Sequence, residues 1–319
     1  HMAFDARVSR RGHLDEKIAA VLREEKVGFG YGALAAGADI IVAEALLERG
    51  AELHAVLPGG AEAFASVSVD PFGKPWRRRF GALLERAATV RAVRPLGAPP
   101  DPVTIALADE IAMGAAAMNA RRLESRALQL LVLDGEPGEP APAGGWRQRI
   151  VAAPREAAAP ASAALPAGAH RRLALLVVRA EAGDRIEAVA TCLGDGPAAA
   201  IGPYFTGGEI VAGYGEAAEA AEAAVSLAGK LGAAVGGHYG VADPVRDPFS
   251  GEPRVGGEAA VLAAGAAASA PPGAACVTAD FAAALAANGG GGFWSELIGE
   301  MDARDGTGPV DLYALKPRS

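Results

Sequence analysis

The chain has 319 residues, 51% of them hydrophobic, with 42 glycines and a formal net charge of −8, which is length enough for two domains with separate cores. The acidic balance excludes a general nucleic-acid binder, which needs a basic surface to displace condensed counterions, and two distant cysteines, Cys192 and Cys276, exclude a disulfide framework. No run reaches the roughly 18 uninterrupted apolar residues of a membrane span and no signal-peptide core opens the chain, so a cytoplasmic protein without membrane partners is expected.

His1-Met2 reads as an expression remnant, and residues 4–11 are only weakly strand-like. Residues 14–25 predict a helix, with Leu14, Ile18, Val21 and Leu22 on one face. A glycine-rich turn follows over residues 28–37, then a helix over 38–49 that Gly50 stops. A short apolar strand over 53–57 ends at Pro58-Gly59-Gly60. A helix (76–88), a strand (90–93), a long helix (103–126) and a strand (128–133) complete this half. Helices alternating with short apolar strands predict α/β architecture, a Rossmann-like, doubly wound parallel sheet over 1–135.

Residues 136–170 are rich in proline and alanine and read as a linker, with Trp146 docked somewhere along it. Beyond it, strands are expected at 173–178, 209–214, 233–239 and 275–277, and helices at 216–231, 257–268 and 280–287. Residues 297–301 and 311–315 predict a closing antiparallel pair, so 171–319 is an α+β domain with a mixed or antiparallel sheet.

A glycine-rich turn leading into a helix suits phosphate, because free backbone N–H groups and the helix dipole both face the anion. Gly30, Gly32 and Gly37 satisfy that pattern, and Pro58-Gly59-Gly60 supplies an opposite wall. The same glycines also serve tight turns and close helix–sheet packing, and that reading stands beside the first. The run GYGALAAGADIIVAEALLERGAELHAVLP (residues 30–58), with SVSVDPFGKPWRRRF (66–80) and AMNARRLESRALQLLVLDG (117–135), resembles the SLOG superfamily of lonely-guy phosphoribohydrolases and DNA-processing-A proteins. The resemblance implies a nucleotide or NAD-derived ligand near Gly30, Gly32, Gly37, Asp39 and Glu44, with Pro58, Gly59 and Gly60 across from them. It departs from the hydrolytic members, which carry a PGGxGT motif and a following glutamate where this chain has Pro58-Gly59-Gly60-Ala61-Glu62. Binding without turnover is the expectation.

In the second half, GGHYG (236–240), DPFSGEPRVGG (247–257), PPGAACVTADFAAALAA (271–287), GEMDARDGTGPVDLYAL (299–315) and RRLALLVV (171–178) resemble class III nucleotide cyclase domains, a ferredoxin-related fold. Such a cyclase needs two carboxylates holding two metal ions, and an Asn–Arg pair against the developing charge. Carried over by the resemblance, the metal aspartates fall at Arg179 and Glu209, the asparagine at Val261 and the arginine at Gly265. Those substitutions imply no catalysis and no bound metal. The interval from Arg179 to Glu209 is also too short for the family's two long helices, and an Arg179–Glu209 ion pair is the expected replacement for the metals. His238 and His54 read as packed, hydrogen-bonded histidines rather than ligands.

Together these readings predict a non-catalytic sensor of a nucleotide or NAD derivative, without a tightly held cofactor, whose cyclase-like domain serves binding, homodimerisation or docking of a protein partner. A SLOG-type N-glycosidase and a purely structural interaction module remain the alternatives.

Overall fold

The computed structural model describes residues 11–94, 99–134, 146–153, 170–179, 183–302 and 308–318. The chain divides into two compact units, His1–Ala167 and Gly168–Ser319. The weakly strand-like residues 4–10 lie outside the described residues.

In the first unit the order is α1 (Arg11–Glu24), β1 (Phe29–Gly32), α2 (Ala38–Glu48), β2 (Glu52–Leu57), α3 (Ala61–Ser68), a 3-10 turn (Asp70–Phe72), α4 (Lys74–Arg86), β3 (Thr89–Ala92), α5 (Pro102–Arg122), β4 (Gln129–Asp134) and β5 (Gln148–Ala153). β1, β2 and β3 form a parallel sheet in that spatial order, and β4 and β5 form a separate parallel pair. Strand alternation divides β2. Leu53, Ala55 and Leu57 enter a core built with Leu14, Ile18, Leu34, Ile40, Phe64, Trp76 and Phe80, while His54 and Val56 point to the other face, where α5 lies against β1 and β2.

Three expectations change here. The glycine run is partly strand: Phe29–Gly32 pairs with β2, and a Cβ on Gly30 would stand 2.3 Å from Leu46 Cδ1, so this glycine lets α2 close onto the strand. Residues 61–72, left unassigned by periodicity, hold α3 and the 3-10 turn. Gln148–Ala153, inside the segment read as linker, is a strand whose Val151 and Ala153 enter the core. Arg147 and Arg149 fasten it to Glu25 on one side and Arg149 to Glu24 beside it, at 2.7–2.9 Å. Among the described residues the hydrogen-bonded strands of this sheet run in the order β1-β2-β3.

One helix, Pro102–Arg122, is long and apolar enough by length and composition to cross a membrane. It carries Asp109 and Glu110 mid-length, and its Leu107, Ala108, Ile111 and Ala112 are buried in this unit.

In the second unit the order is β6 (Arg171–Arg179), α6 (Gly183–Gly194), β7 (Ile201–Thr206), β8 (Glu209–Tyr214), α7 (Ala217–Leu231), β9 (Val235–Arg246), β10 (Pro253–Gly256), α8 (Glu258–Ser269), β11 (Ala275–Thr278), α9 (Ala279–Ala287), β12 (Phe293–Asp302) and β13 (Pro309–Pro317). The sheet runs β12-β13-β11-β9-β6-β8-β7, with β10 hairpinned onto β9. Among the described strands of this unit, only β9 and β11 pair in parallel. From β6 to β9 the chain makes the βαββαβ motif, its four strands in the ferredoxin-like order fourth, first, third, second. Six consecutive buried residues, Leu173 to Val178, mark β6 as a strand covered on both faces. The expected shortage of helix between Arg179 and Glu209 is met by one helix, α6.

Glycines set the packing of this unit. A Cβ on Gly236 would fall 2.0 Å from Ala267 N and 2.3 Å from Ala263 O, so α8 rests its backbone directly on β9. His238, buried on the same strand, bonds Thr278 Oγ1 through Nδ1 at 2.8 Å, the packed histidine that the sequence suggests. His54 bonds Thr89 Oγ1 at 2.9 Å in the same way and stacks on Tyr31 at 4.6 Å.

Candidate functional site

Because β1, β2 and β3 are parallel, their carboxyl ends share one rim, and α2, α3 and α5 all begin from that rim. Its walls touch. A Cβ on Gly59 would meet Pro100 Cγ at 3.6 Å and the Arg94 carbonyl at 3.9 Å, and Ala36 N donates to the Ser68 carbonyl at 2.9 Å. Pro58 and Gly59 are buried and Gly60 half-buried.

The three helix starts differ in the side chains that stand at them. α5 closes itself with a capping box, Thr104 N donating to Asp101 Oδ1 at 2.8 Å and Asp101 N to Thr104 Oγ1 at 2.9 Å. α2 begins at Gly37, whose φ of 110° only glycine adopts easily, and its Asp39 reaches back to accept from Ala35 N at 3.2 Å. Burial pushes the Asp39 carboxyl up to about 6; the Ala35 N–H opposes that shift and Asp109 adds to it. α3 begins at Gly60 and, like α2, has no side-chain cap.

Of the residues named from sequence, Gly37, Asp39, Pro58, Gly59 and Gly60 therefore stand on this rim. Gly30 lies inside the strand beneath Leu46, and Gly32 ends the strand with open space where a Cβ would be. Glu44 is taken by structure: Arg79 Nε donates to its Oε1 at 2.5 Å, Arg79 Nη2 bonds its Oε2, and the guanidinium lies 4.2 Å over the Trp76 ring. Arg77 grips Glu62 with both oxygens at 2.6 Å. The basic run Arg77-Arg78-Arg79 thus spends two of its three charges tying α4 to α3 and α2.

Asp109 was not singled out from sequence. Its signal was available: it and Glu110 are the acids in an otherwise apolar stretch of helix.

In the second unit Arg179 and Glu209 are direct cross-strand partners at the ends of β6 and β8. Gly207 and Gly208, with φ of 57° and 86°, make the tight hairpin that presents Glu209. Arg179 is exposed and Glu209 half-buried. Val261 and Gly265, one turn apart on α8, share a face; Val261 is exposed, and a Cβ on Gly265 would meet Met301 Sδ at 3.2 Å. Among the described residues no group of three or more His, Cys, Asp or Glu side chains could hold a metal ion. Among the described residues, Arg179 and Glu209 place one guanidinium and one carboxylate side by side at these strand ends.

No family model matches the chain, and no curated protein matches it. Solved structures that resemble it include cyclase domains. An adenylate cyclase of Trypanosoma brucei in its monomeric state is 14% identical over 46% of this chain and 88% of its own, with a TM-score of 0.39. The adenylyl cyclase CyaB from P. aeruginosa is 12% identical over 47% and 97%, with a TM-score of 0.35. An adenylate/guanylate cyclase/hydrolase from Silicibacter pomeroyi is 16% identical over 47% and 99%, with a TM-score of 0.37. Each match spans less than half of this chain and nearly all of the neighbour.

Proposed function

We propose that the chain is a nucleotide-responsive regulatory protein that binds a nucleotide or NAD-derived ligand at the carboxyl rim of its first unit and makes no cyclic nucleotide in its second. The observation that carries it is the uncapped start of α3. Gly59 and Gly60 bring bare backbone to the rim at a helix terminus with no side-chain cap and, unlike the equally uncapped start of α2, with no buried carboxylate such as Asp39 in contact beside it, and a phosphate is the natural complement of such a terminus. The self-capped α5 and the Asp39 carboxylate at α2 leave no comparable place for a second anion. Asp39 instead suits a hydroxyl or amino group at the ligand's other end.

The non-catalytic half rests on residue types. With Arg179 where the resembled family has a metal carboxylate, and Val261 and Gly265 where it has its transition-state pair, each missing preorganised donor forfeits about 3 kcal/mol of barrier lowering. A SLOG-like, doubly wound arrangement with β4 flanking β1, and a homodimer through the second unit, complete the reading.

Gly60→Asp tests it. An aspartate there caps α3 itself, so the variant gains a few tenths of a kcal/mol while filling the anion position. Wild-type protein is expected to show a nucleotide- or NAD-dependent rise in Tm with no product by chromatography, and the variant a higher resting Tm with no ligand response. Release of base or ribose phosphate from any ligand overturns the non-catalytic reading, and a full ligand response in Gly60→Asp moves the site elsewhere.

A further inference from the structure

Nine large apolar side chains are exposed among the described residues, and three of them, Trp294, Leu297 and Ile298, sit on the single strand β12. β12 is the outermost strand on its side of the sheet. Its pairing with β13 shifts register between Leu297 and Gly299, so Ile298 is the extra residue of a bulge. A bulge bends the strand and re-aims its side chains; here it leaves Leu297 57% and Ile298 51% exposed, next to one another.

A second observation is independent of the first. Glu300 stands directly opposite Asp311 across the β12–β13 ladder, and Asp302 follows two residues on. Like charges placed opposite one another weaken a sheet. By register Leu297, Glu300, Asp302 and Asp311 lie on one face. Residues 293–302 carry Glu296, Glu300 and Asp302 and no base, and Lys316 on β13 is engaged by Glu296 at 2.6 Å.

We propose that Leu297 and Ile298 are the apolar centre, and Glu300, Asp302 and Asp311 the acidic rim, of a docking surface for a protein partner whose apolar pocket is edged by Lys and Arg. An apolar centre within a polar rim is the anatomy of a specific interface, and complementary charge sets which partner is admitted. The opposed carboxylates weaken the hairpin on its own and are relieved when a basic surface covers them. A second copy is disfavoured as the occupant. Edge-to-edge pairing of β12 with itself would bring the same carboxylates together in a chain of net charge −8, and the bulge interrupts the ladder such pairing needs.

The test uses the full chain and a fluorescent peptide, (Lys-Leu)4, with (Glu-Leu)4 as its acidic counterpart. We expect (Lys-Leu)4 to bind, tenfold or more weakly at 300 mM than at 50 mM salt, with hydrogen-exchange protection confined to 293–302 and 309–313, and (Glu-Leu)4 not to bind. Leu297→Ser with Ile298→Ser should weaken binding tenfold or more. Glu300→Gln should raise Tm while lowering affinity several-fold, opposite signs that a merely structural role does not produce. Absence of binding at low salt, protection spread along the chain, or undiminished binding by the double variant overturns the proposal. So does a concentration-dependent dimer that the double variant abolishes, which would assign the surface to a second copy.

Discussion

The two units use glycine for different ends. In the first, Gly37, Gly59 and Gly60 stand where strands give way to helices, and they shape a rim of exposed backbone. In the second, Gly236 stands within the sheet, where a Cβ would strike the Ala267 amide and the Ala263 carbonyl of α8. The first unit has one glycine of the interior kind, Gly30, but its would-be Cβ meets only the end of the Leu46 side chain. A side-chain tip can swing aside and helix backbone cannot. The first unit is therefore built around an accessible edge and the second around an immovable layer.

The largest effect that could break this contrast is Gly236→Ala. Lifting α8 off the strand exceeds ordinary overpacking, so a loss of about 3 kcal/mol or more is expected, confined to the second unit in urea unfolding followed by peptide-resolved hydrogen exchange. Gly30→Ala should cost about 1 kcal/mol, because Leu46 can change rotamer. Equal losses at the two sites would remove the distinction.

Next comes Asp39. With its carboxyl pushed up to about 6, above the unfolded value of about 3.9, the folded state holds that proton more tightly. Its contribution is fully present below about pH 4 and is lost as pH rises through 6. Asp39→Asn is expected to be more stable than wild type at pH 7 by about 1–3 kcal/mol and to flatten the pH 4–6 slope in chemical denaturation. Parallel slopes for the two proteins would show that the carboxylate is already well hydrated on the rim.

The smallest effect compares ion pairs. The Arg79–Glu44 pair is 16% and 30% exposed, against 49% and 50% for Lys316–Glu296. Arg79→Met should cost about 1 kcal/mol and Lys316→Met only a few tenths, and double-mutant cycles with Glu44→Gln and Glu296→Gln separate the pair terms from lost packing on Trp76 and Trp294.

How legible this was in sequence depended on whether a segment carried its own period. α7 did, with its buried alanines and Leu227 on one stripe; α2, α5 and β8 were legible instead as apolar runs, and the limits of all four fall within a few residues of expectation. β1 did not: Phe29-Gly30-Tyr31-Gly32 is half glycine, and it is a strand through its pairing with β2, with Leu46 covering Gly30. β5 was hidden by the prolines and alanines around it, and it is held by Glu24 and Glu25 more than a hundred residues away. α6, β7 and β10 went unassigned for the same reason: short and half-exposed, they are fixed by neighbours rather than by pattern. The rim itself was half legible. Its glycines announced it, but neither the capping box that closes α5 nor the grip of Arg79 on Glu44 can be seen without knowing which helices meet.

The contact of α8 with Gly236 also bears on motion. A helix whose backbone touches a central strand has no clearance to slide or roll, so β9 and α8 should open only when the whole unit unfolds, and their amides should exchange most slowly of all. Any signal received by this unit must then pass around that layer, through its hairpins and outer strand, and conformational change within it is expected at the periphery, on a timescale much shorter than global unfolding.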